Sequence, residues 1–275
     1  MFSGISVEDF QCEICELAKH KRVSFLINSE RTTNPFNLIN SNIWGPAEVP
    51  NVSGSRWFVT FIDDYSRVTW VFLLKNKSDL SQVILEFFTM IKTQFGVNIK
   101  RFRSDNAPDY FNHMLTHFFK KEGIIHKSSC VNTPQQNGIA ERKNWHLDTT
   151  RSFLLQNEVP ENYWGEAILA ATYLINRLPT RILGFKSPLE VLRENFPFLR
   201  ISNGLTPRIF GCICFVHINS GDRSKLYSRA LKCVFVGYSS TQKGYKCYQP
   251  LMKLNNILLR RRRSYQRKVT MMILI

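Results

Sequence analysis

The sequence predicts an α/β domain followed by a small all-β module. Three observations carry that reading. Runs with strand composition alternate with runs of helical spacing between Leu38 and Leu178. After Ile209 only short strand-like runs remain. The 275 residues are 44% hydrophobic and 21% charged, which is ordinary globular usage and excludes a wholly disordered or collagen-like chain. Such a length buries one sizeable core and a satellite.

The elements follow in order. Leu38 to Trp44, Trp57 to Ile62 and Val68 to Leu74 are apolar, β-branched and aromatic, and the last two flank Asp63-Asp64-Tyr65-Ser66-Arg67, a turn between two strands. Ser78 is placed to cap a helix to Gln94 with Leu80, Val83, Ile84, Phe87, Ile91 and Phe95 on its apolar face, stopped by Gly96. A strand at Ile99 to Arg103 leads into Ser104-Asp105-Asn106. A helix at Asn112 to Lys121, ended by Gly123, precedes a short strand at Ile124 to Ser128. Thr133-Pro134-Gln135-Gln136-Asn137-Gly138 has no apolar period and is expected to be a mobile loop feeding a helix from Ile139 to Gln156. Glu161 to Leu178 carries a buried stripe (Trp164, Ile168, Ala171, Leu174, Ile175, Leu178) closed by Pro179, and Ser187-Pro188 opens a further short helix.

The β module comprises Ile209 to His217, Cys233 to Tyr238 and Tyr245 to Tyr248. After Pro250 a basic tail (Arg260 to Arg263, Arg267, Lys268) shows neither strand alternation nor a helical face. Residues 205–275 hold 14 of the 37 Lys and Arg against Asp222 alone, so of the net +16 only +3 falls on residues 1–204. That concentration is an electrostatic footprint for nucleic acid, although charge alone equally fits a solvated surface or a nuclear-import run. No apolar run reaches membrane-spanning length and the N-terminus lacks a signal pattern, so a soluble intracellular protein without a membrane partner is expected. Seven cysteines, an odd number thinly spread, favour reduced thiols over a disulfide framework.

Asp105 ends a strand, and Glu141 lies early in the helix after the polar loop, with 35 residues between them. Two carboxylates brought to one point by different elements suit a divalent metal, which takes hard oxygen ligands and substrate phosphates. Taken singly, an Asp at a strand end and a Glu in a helix are commonplace.

Trp44-Gly45-Pro46, Phe58 to Arg67, Arg103-Ser104-Asp105-Asn106, Thr133 to Asn144 and Leu174 to Thr180 form a series of long motifs along the chain. In their order and spacing the chain resembles the integrase region of copia-type (Ty1/copia) retrotransposon Pol polyproteins. Phe210-Gly211-Cys212 and Val234 to Tyr238 resemble the SH3-like module that follows the core in that family. The resemblance implies a ribonuclease-H-like core, a mixed five-stranded sheet with flanking helices, followed by a small SH3-like β module. It implies a partial zinc-binding segment over 1–35, an integrase core over 36–150, a helical extension over 151–204, the SH3-like module over 205–250 and an unmatched tail over 251–275. The implied activity is DNA integration by strand transfer with Mg²⁺ or Mn²⁺ held by an Asp, Asp, Glu set. The implied partners are element ends and target DNA, with RNA and self-association on DNA also in view, in the nucleus or in cytoplasmic retroelement particles.

Asp105 matches the second aspartate of that set and Glu141 the glutamate, but the first position is Asn42. Asparagine is nearly isosteric with aspartate yet uncharged, so a site for two dications loses one of three fixed negative charges and turnover is expected to be abolished or nearly so. Asp63 and Asp64 are the nearest substitutes, and turn chemistry accounts for them without metal. The family usually has Gly-Gly where Ala107-Pro108 stands, and proline restricts its neighbour and removes a donor. Trp145 stands where a basic residue is common. With the unmatched tail, which a frameshift after Pro250 would produce, these departures read as a decayed copy.

Gln135, Gln136, Asn137 and Gly138 correspond to the family's mobile active-site loop, and Arg142 and Lys143 add cations for DNA phosphate. Cys12 and Cys15 match the second half of the family's His, His, Cys, Cys zinc site; the site is incomplete, with His20 as one further ligand in reach of the sequence. His113 and His117, one turn apart, fit an exposed helix face better than a metal, and Cys212 and Cys214 fit small core filler. The alternative to an impaired integrase is a non-enzymatic DNA- or RNA-binding relic, or a host-adopted binding protein.

Overall fold

The computed structural model describes residues 31–129, 138, 159–198, 205–218, 226, 228–239 and 244–249. The segment with Cys12, Cys15 and His20, the helix expected over 139–156 and the basic tail lie outside them.

Three strands, β1 (Leu38–Trp44), β2 (Trp57–Asp63) and β3 (Thr69–Leu74), pair antiparallel as an up-and-down meander. Helix α1 (Leu80–Phe95) then carries the chain back, so that β4 (Arg101–Ser104) lies parallel to β1, and α2 (His113–Glu122) places β5 (Ile125–Ser128) parallel to β4. The order β3-β2-β1-β4-β5 makes β1 the central strand of a mixed five-stranded sheet. The helix ends obey local rules. Gly96 and Gly123 terminate α1 and α2 in the left-handed region, and the Asn112 side chain accepts from Leu115 N at the start of α2. The start of α1 departs from expectation: a 3-10 turn at Lys77–Asp79 precedes it, and the capping box joins Asn76 to Asp79 in place of a cap at Ser78.

One face of the sheet packs on α1 and α2. Ile39, Val59, Phe61, Trp70, Phe72 and Phe102 meet Ile84, Phe87, Phe88 and Ile91 of α1 and Leu115 and Phe119 of α2. Because side chains alternate across a strand, Phe58 and Val71 face the other way, onto α3 (Trp164–Ile175). Gly165 lets α3 approach, since a Cβ there would collide with the Asn51 side chain. Asn176 anchors the far end of α3: its amide accepts from Thr69 N (2.9 Å) and donates to Thr69 O (2.8 Å). Helix α4 (Pro188–Asn195) starts with the capping box between Ser187 and Glu190 and returns Leu189 and Leu192 to the first core.

The strands β6 (Ile213–His217), β7 (Ala230–Tyr238) and β8 (Tyr245–Tyr248) form a second, antiparallel sheet in the order β6-β7-β8. Its Phe235, Val236 and Tyr238 pack on the side of α3 remote from the core sheet, and Tyr238 stacks on Tyr173 at 3.6 Å between centroids. Arg177 lies over the Tyr173 ring at 3.5 Å, and Lys246 meets Glu166 at 3.0 Å. Helix α3 is therefore shared between the two sheets. No helix among the described residues is long and apolar enough to cross a membrane.

Candidate active site

The parallel ladder between β1 and β4 runs Leu38↔Arg101, Ile39↔Phe102, Asn40↔Arg103. Two residues beyond the last pair stand Asn42 and Asp105. The register thus brings both to the same end of two neighbouring strands, which lie about 4.8 Å apart in a sheet. On β1 the odd-numbered Ile39, Ser41 and Ile43 face the α1 and α2 side, so Asn42 lies on the α3 face with Asn40. Asn42 pairs with Thr60, whose hydroxyl donates to the Asn42 carbonyl at 3.3 Å.

Asp105 is half-buried just after β4. Its Oδ1 accepts from Ala107 N at 3.1 Å, an Asx turn that fixes one carboxylate oxygen. Burial pushes its pKa up; the Ala107 N–H and the nearby Lys77 pull it down, and Asp109 adds a smaller upward push. Lys77 is held by Asp109 at 2.6 Å and lies 5.5 Å over the Trp57 ring. Pro108 does not strain the loop. It occupies the first position of a 3-10 turn, Pro108–Phe111, where its missing N–H has no role, and Ala107 keeps the extended φ −62°, ψ 130° that a following proline requires.

Two contacts, one of them buried, support this end of the sheet. Ser41, beside Asn42, shares a 2.8 Å hydrogen bond with the Tyr110 hydroxyl. The Ser104 hydroxyl donates to the Asp105 carbonyl at 2.9 Å and meets His126 Nε2 at 2.8 Å. With the serine hydrogen spent on that carbonyl, His126 Nε2 is the donor to Ser104. Burial lowers the His126 pKa, and the ring stacks on Phe111 at 5.0 Å. Lys77, Tyr110 and His126 carry no motif signal in the sequence; only the strand pairing of Phe102 with His126 and the loop after Asp105 bring them here. Asn40 is fully buried, and among the described residues neither amide atom has a hydrogen-bond partner.

Asp63 and Asp64 are fully occupied elsewhere. Asp63 Oδ2 accepts from Ser66 N (2.8 Å) and Ser66 Oγ (2.6 Å), and Oδ1 accepts from Phe36 N (2.8 Å). Asp64 accepts from Thr32 N at 2.9 Å and pairs with Arg67 at 3.2 Å. Asp63 is level with Ile39, three residues or about 10 Å along the strand from Asn42, and faces the other side. Neither aspartate lies at the Asn42 end of the sheet.

Glu141, Gln135, Gln136, Asn137, Arg142, Lys143 and Trp145 lie outside the described residues, as do Cys12 and Cys15; Gly138 is described as helical. His113 and His117 are exposed on α2. The motif residues around the site are structural. Trp44 stacks on Phe58 at 5.1 Å and meets Trp164 at 6.0 Å, and a Cβ on Gly45, at φ +130°, would lie 2.7 Å from the Arg56 carbonyl.

Residues 33–134 match the family described as integrase core domain, and residues 212–257 match the retroviral polymerase SH3-like domain. The first match includes Asn42 and Asp105 and ends before Glu141. The chain is 36% identical over 244 residues to the retrovirus-related Pol polyprotein from transposon TNT 1-94 of Nicotiana tabacum, covering 88% of this chain and 18% of that protein. It is 34% identical over 237 residues to the retrovirus-related Pol polyprotein from transposon RE1 of Arabidopsis thaliana, covering 86% and 16%. The chain thus spans less than a fifth of either relative. Among solved structures, the HTLV-2 integrase catalytic core domain in complex with magnesium aligns at TM-score 0.44 and 16% identity, over 58% of this chain and 99% of that one.

Proposed function

We infer, from a chain that belongs to the copia/Ty1 retrotransposon Pol polyproteins through its integrase core and SH3-like domain, that it holds DNA but has lost most or all of the capacity to join it. The observation that carries this reading is Asn42 on β1, at the same end of the sheet as Asp105, which follows the adjoining β4.

Strand transfer is an in-line displacement in which a DNA 3′-hydroxyl attacks a target phosphodiester. Mg²⁺ or Mn²⁺, when bound, would neutralise charge on the phosphate and its two flanking oxygens. The described residues do not fit a two-ion centre. They offer one carboxylate, Asp105, with one oxygen already engaged by Ala107 N–H, and beside it a neutral amide. Among them no group of three or more His, Cys, Asp or Glu is placed to hold a metal. Glu141 as a second acid leaves the set one charge short. Lys77, whose charge acts on Asp105, further reduces the negative potential. Zinc at Cys12 and Cys15 stays a proposal on the same footing, half of a ligand set.

DNA binding does not need that charge. Phosphate contacts from Lys and Arg give affinity with little sequence preference, and the chain's net +16 supplies them. Element ends and target DNA are the proposed ligands, with RNA and self-association on DNA as further outcomes of the same measurement. The test compares the full chain with Asn42→Asp in DNA binding across a salt series and in strand transfer with Mg²⁺ or Mn²⁺. Salt-sensitive binding by both, with joining only by Asn42→Asp, is the expected result. Robust joining by the unmodified chain overturns the reading.

A further inference from the structure

The second sheet holds a sulfur pair that nothing in strand transfer uses. Cys212, Cys214, Cys233 and Cys247 are all free thiols. Cys214 on β6 faces Cys233 across the β6-β7 ladder, and Cys247 on β8 pairs with Phe235 on the other side of β7. The outer strands β6 and β8 are not neighbours, yet Cys214 Sγ and Cys247 Sγ are 3.3 Å apart. The ladder explains how. A register shift between Phe235 and Gly237 marks a bulge beside Cys247's partner, and a bulge bends and twists its strand. Gly237, at φ +143°, supplies the backbone freedom.

We propose that Cys214 and Cys247 form an oxidation site, closing to a disulfide that ties β6 to β8 when the module meets a two-electron oxidant of the hydroperoxide class. The inference stands on these thiols alone and is independent of the catalytic reading. Cys247 is exposed and Cys214 is partly buried against the second core, so the oxidant reaches Cys247 first. Burial pushes the Cys214 thiol up to about 12, so its attack on the oxidised Cys247 is the slower of the two steps. Cys247 sulfur takes one oxygen from hydrogen peroxide, releasing water and giving a sulfenic acid. Cys214 sulfur then displaces the sulfenic hydroxyl, which leaves as a second water with the Cys214 proton. In sum, two thiols and one peroxide give one disulfide and two waters. The sulfurs must close from 3.3 Å to about 2.0 Å, which draws β6 and β8 toward each other across β7. Capture of a metal ion is the weaker use of the cluster, because no group of three donors among the described residues is placed for one.

The experiment uses the full chain, reduced, freed of reductant, exposed to a small excess of hydrogen peroxide, alkylated and mapped by peptide mass spectrometry. The expected product is a crosslinked pair of peptides containing Cys214 and Cys247, two hydrogens lighter than the free pair and reversed by dithiothreitol. Cys233→Ser keeps the crosslink, and Cys214→Ser and Cys247→Ser each lose it. Oxidation raises the thermal midpoint of the parent by several degrees and leaves Cys247→Ser unmoved. The matching alanine variants, with unchanged midpoints in reductant, separate loss of the thiol from loss of the fold. A crosslink between Cys214 and Cys233, or conversion of Cys247 to sulfinic acid without any crosslink, overturns the proposal.

Discussion

The Ser41 hydroxyl and the Tyr110 hydroxyl lie 2.8 Å apart inside the core and join the central strand, one residue before Asn42, to the turn that follows Asp105. The two halves of the candidate site are thus fixed by one buried bond between residues 69 positions apart. A phenol without its hydroxyl fits the same space and cannot make that bond. Tyr110→Phe is expected to cost about 1–2 kcal/mol in urea unfolding with the fold retained.

Asn42→Asp places a second carboxylate at the same end of the sheet as Asp105. Without a divalent cation the two acids repel, and the variant is expected to be about 1 kcal/mol less stable than its parent in the presence of EDTA. Millimolar Mg²⁺ or Mn²⁺ should reverse that loss in the variant, since a ligand that binds the folded state raises its stability, and leave the parent unmoved. Thermal melts with and without metal read both outcomes without reference to turnover. An equal metal response in parent and variant would show that Asn42 is not the residue that weakens the site.

Asp63 is raised above the ordinary carboxyl value because desolvation outweighs its hydrogen bonds from Ser66, Phe36 and Tyr65. The folded chain therefore keeps this proton to a higher pH than the unfolded chain. Through the interval above about pH 4, where the unfolded group has already ionised, stability falls as pH rises, and it levels off beyond the folded value. Asp105 shifts in the same direction and adds to the slope. Asp63→Asn removes the Asp63 share but cannot accept both Ser66 donors at its amide nitrogen. The expected outcome is a flatter pH profile at about 1–3 kcal/mol lower stability in denaturant titrations from pH 4 upward.

Asn176→Ala removes two buried bonds to the Thr69 backbone, the clamp between α3 and the first residue of β3. A loss of about 2–4 kcal/mol is expected by chemical denaturation. Asn176→Asp should be little better, because a carboxylate cannot donate to the Thr69 carbonyl.

The elements were legible where the sequence punctuates itself. Gly96, Gly123 and the Ser187-Pro188 cap mark helix ends through local chemistry, and β1, β2 and β3 come out within a residue of their apolar runs. Edges without such signals moved: Ile99 and Lys100 precede β4, and β6 starts at Ile213, four residues after Ile209. The turn role of Asp63 followed from its neighbours in sequence. The contacts of Lys77, Tyr110 and His126 did not, because each depends on a strand register or a loop path that no local window encodes. The proximity of Cys214 and Cys247 depends on a bulge in a third strand.

Helix α3 offers apolar side chains to both sheets, with Tyr173 covered by Tyr238 and Glu166 reaching Lys246. Expressing the core alone, cut after residue 204, would strip one flank of that helix and uncover the Tyr173 ring. Poor solubility of such a truncated product would report an uncovered flank, and a soluble preparation requires the strands through Tyr248 to be retained.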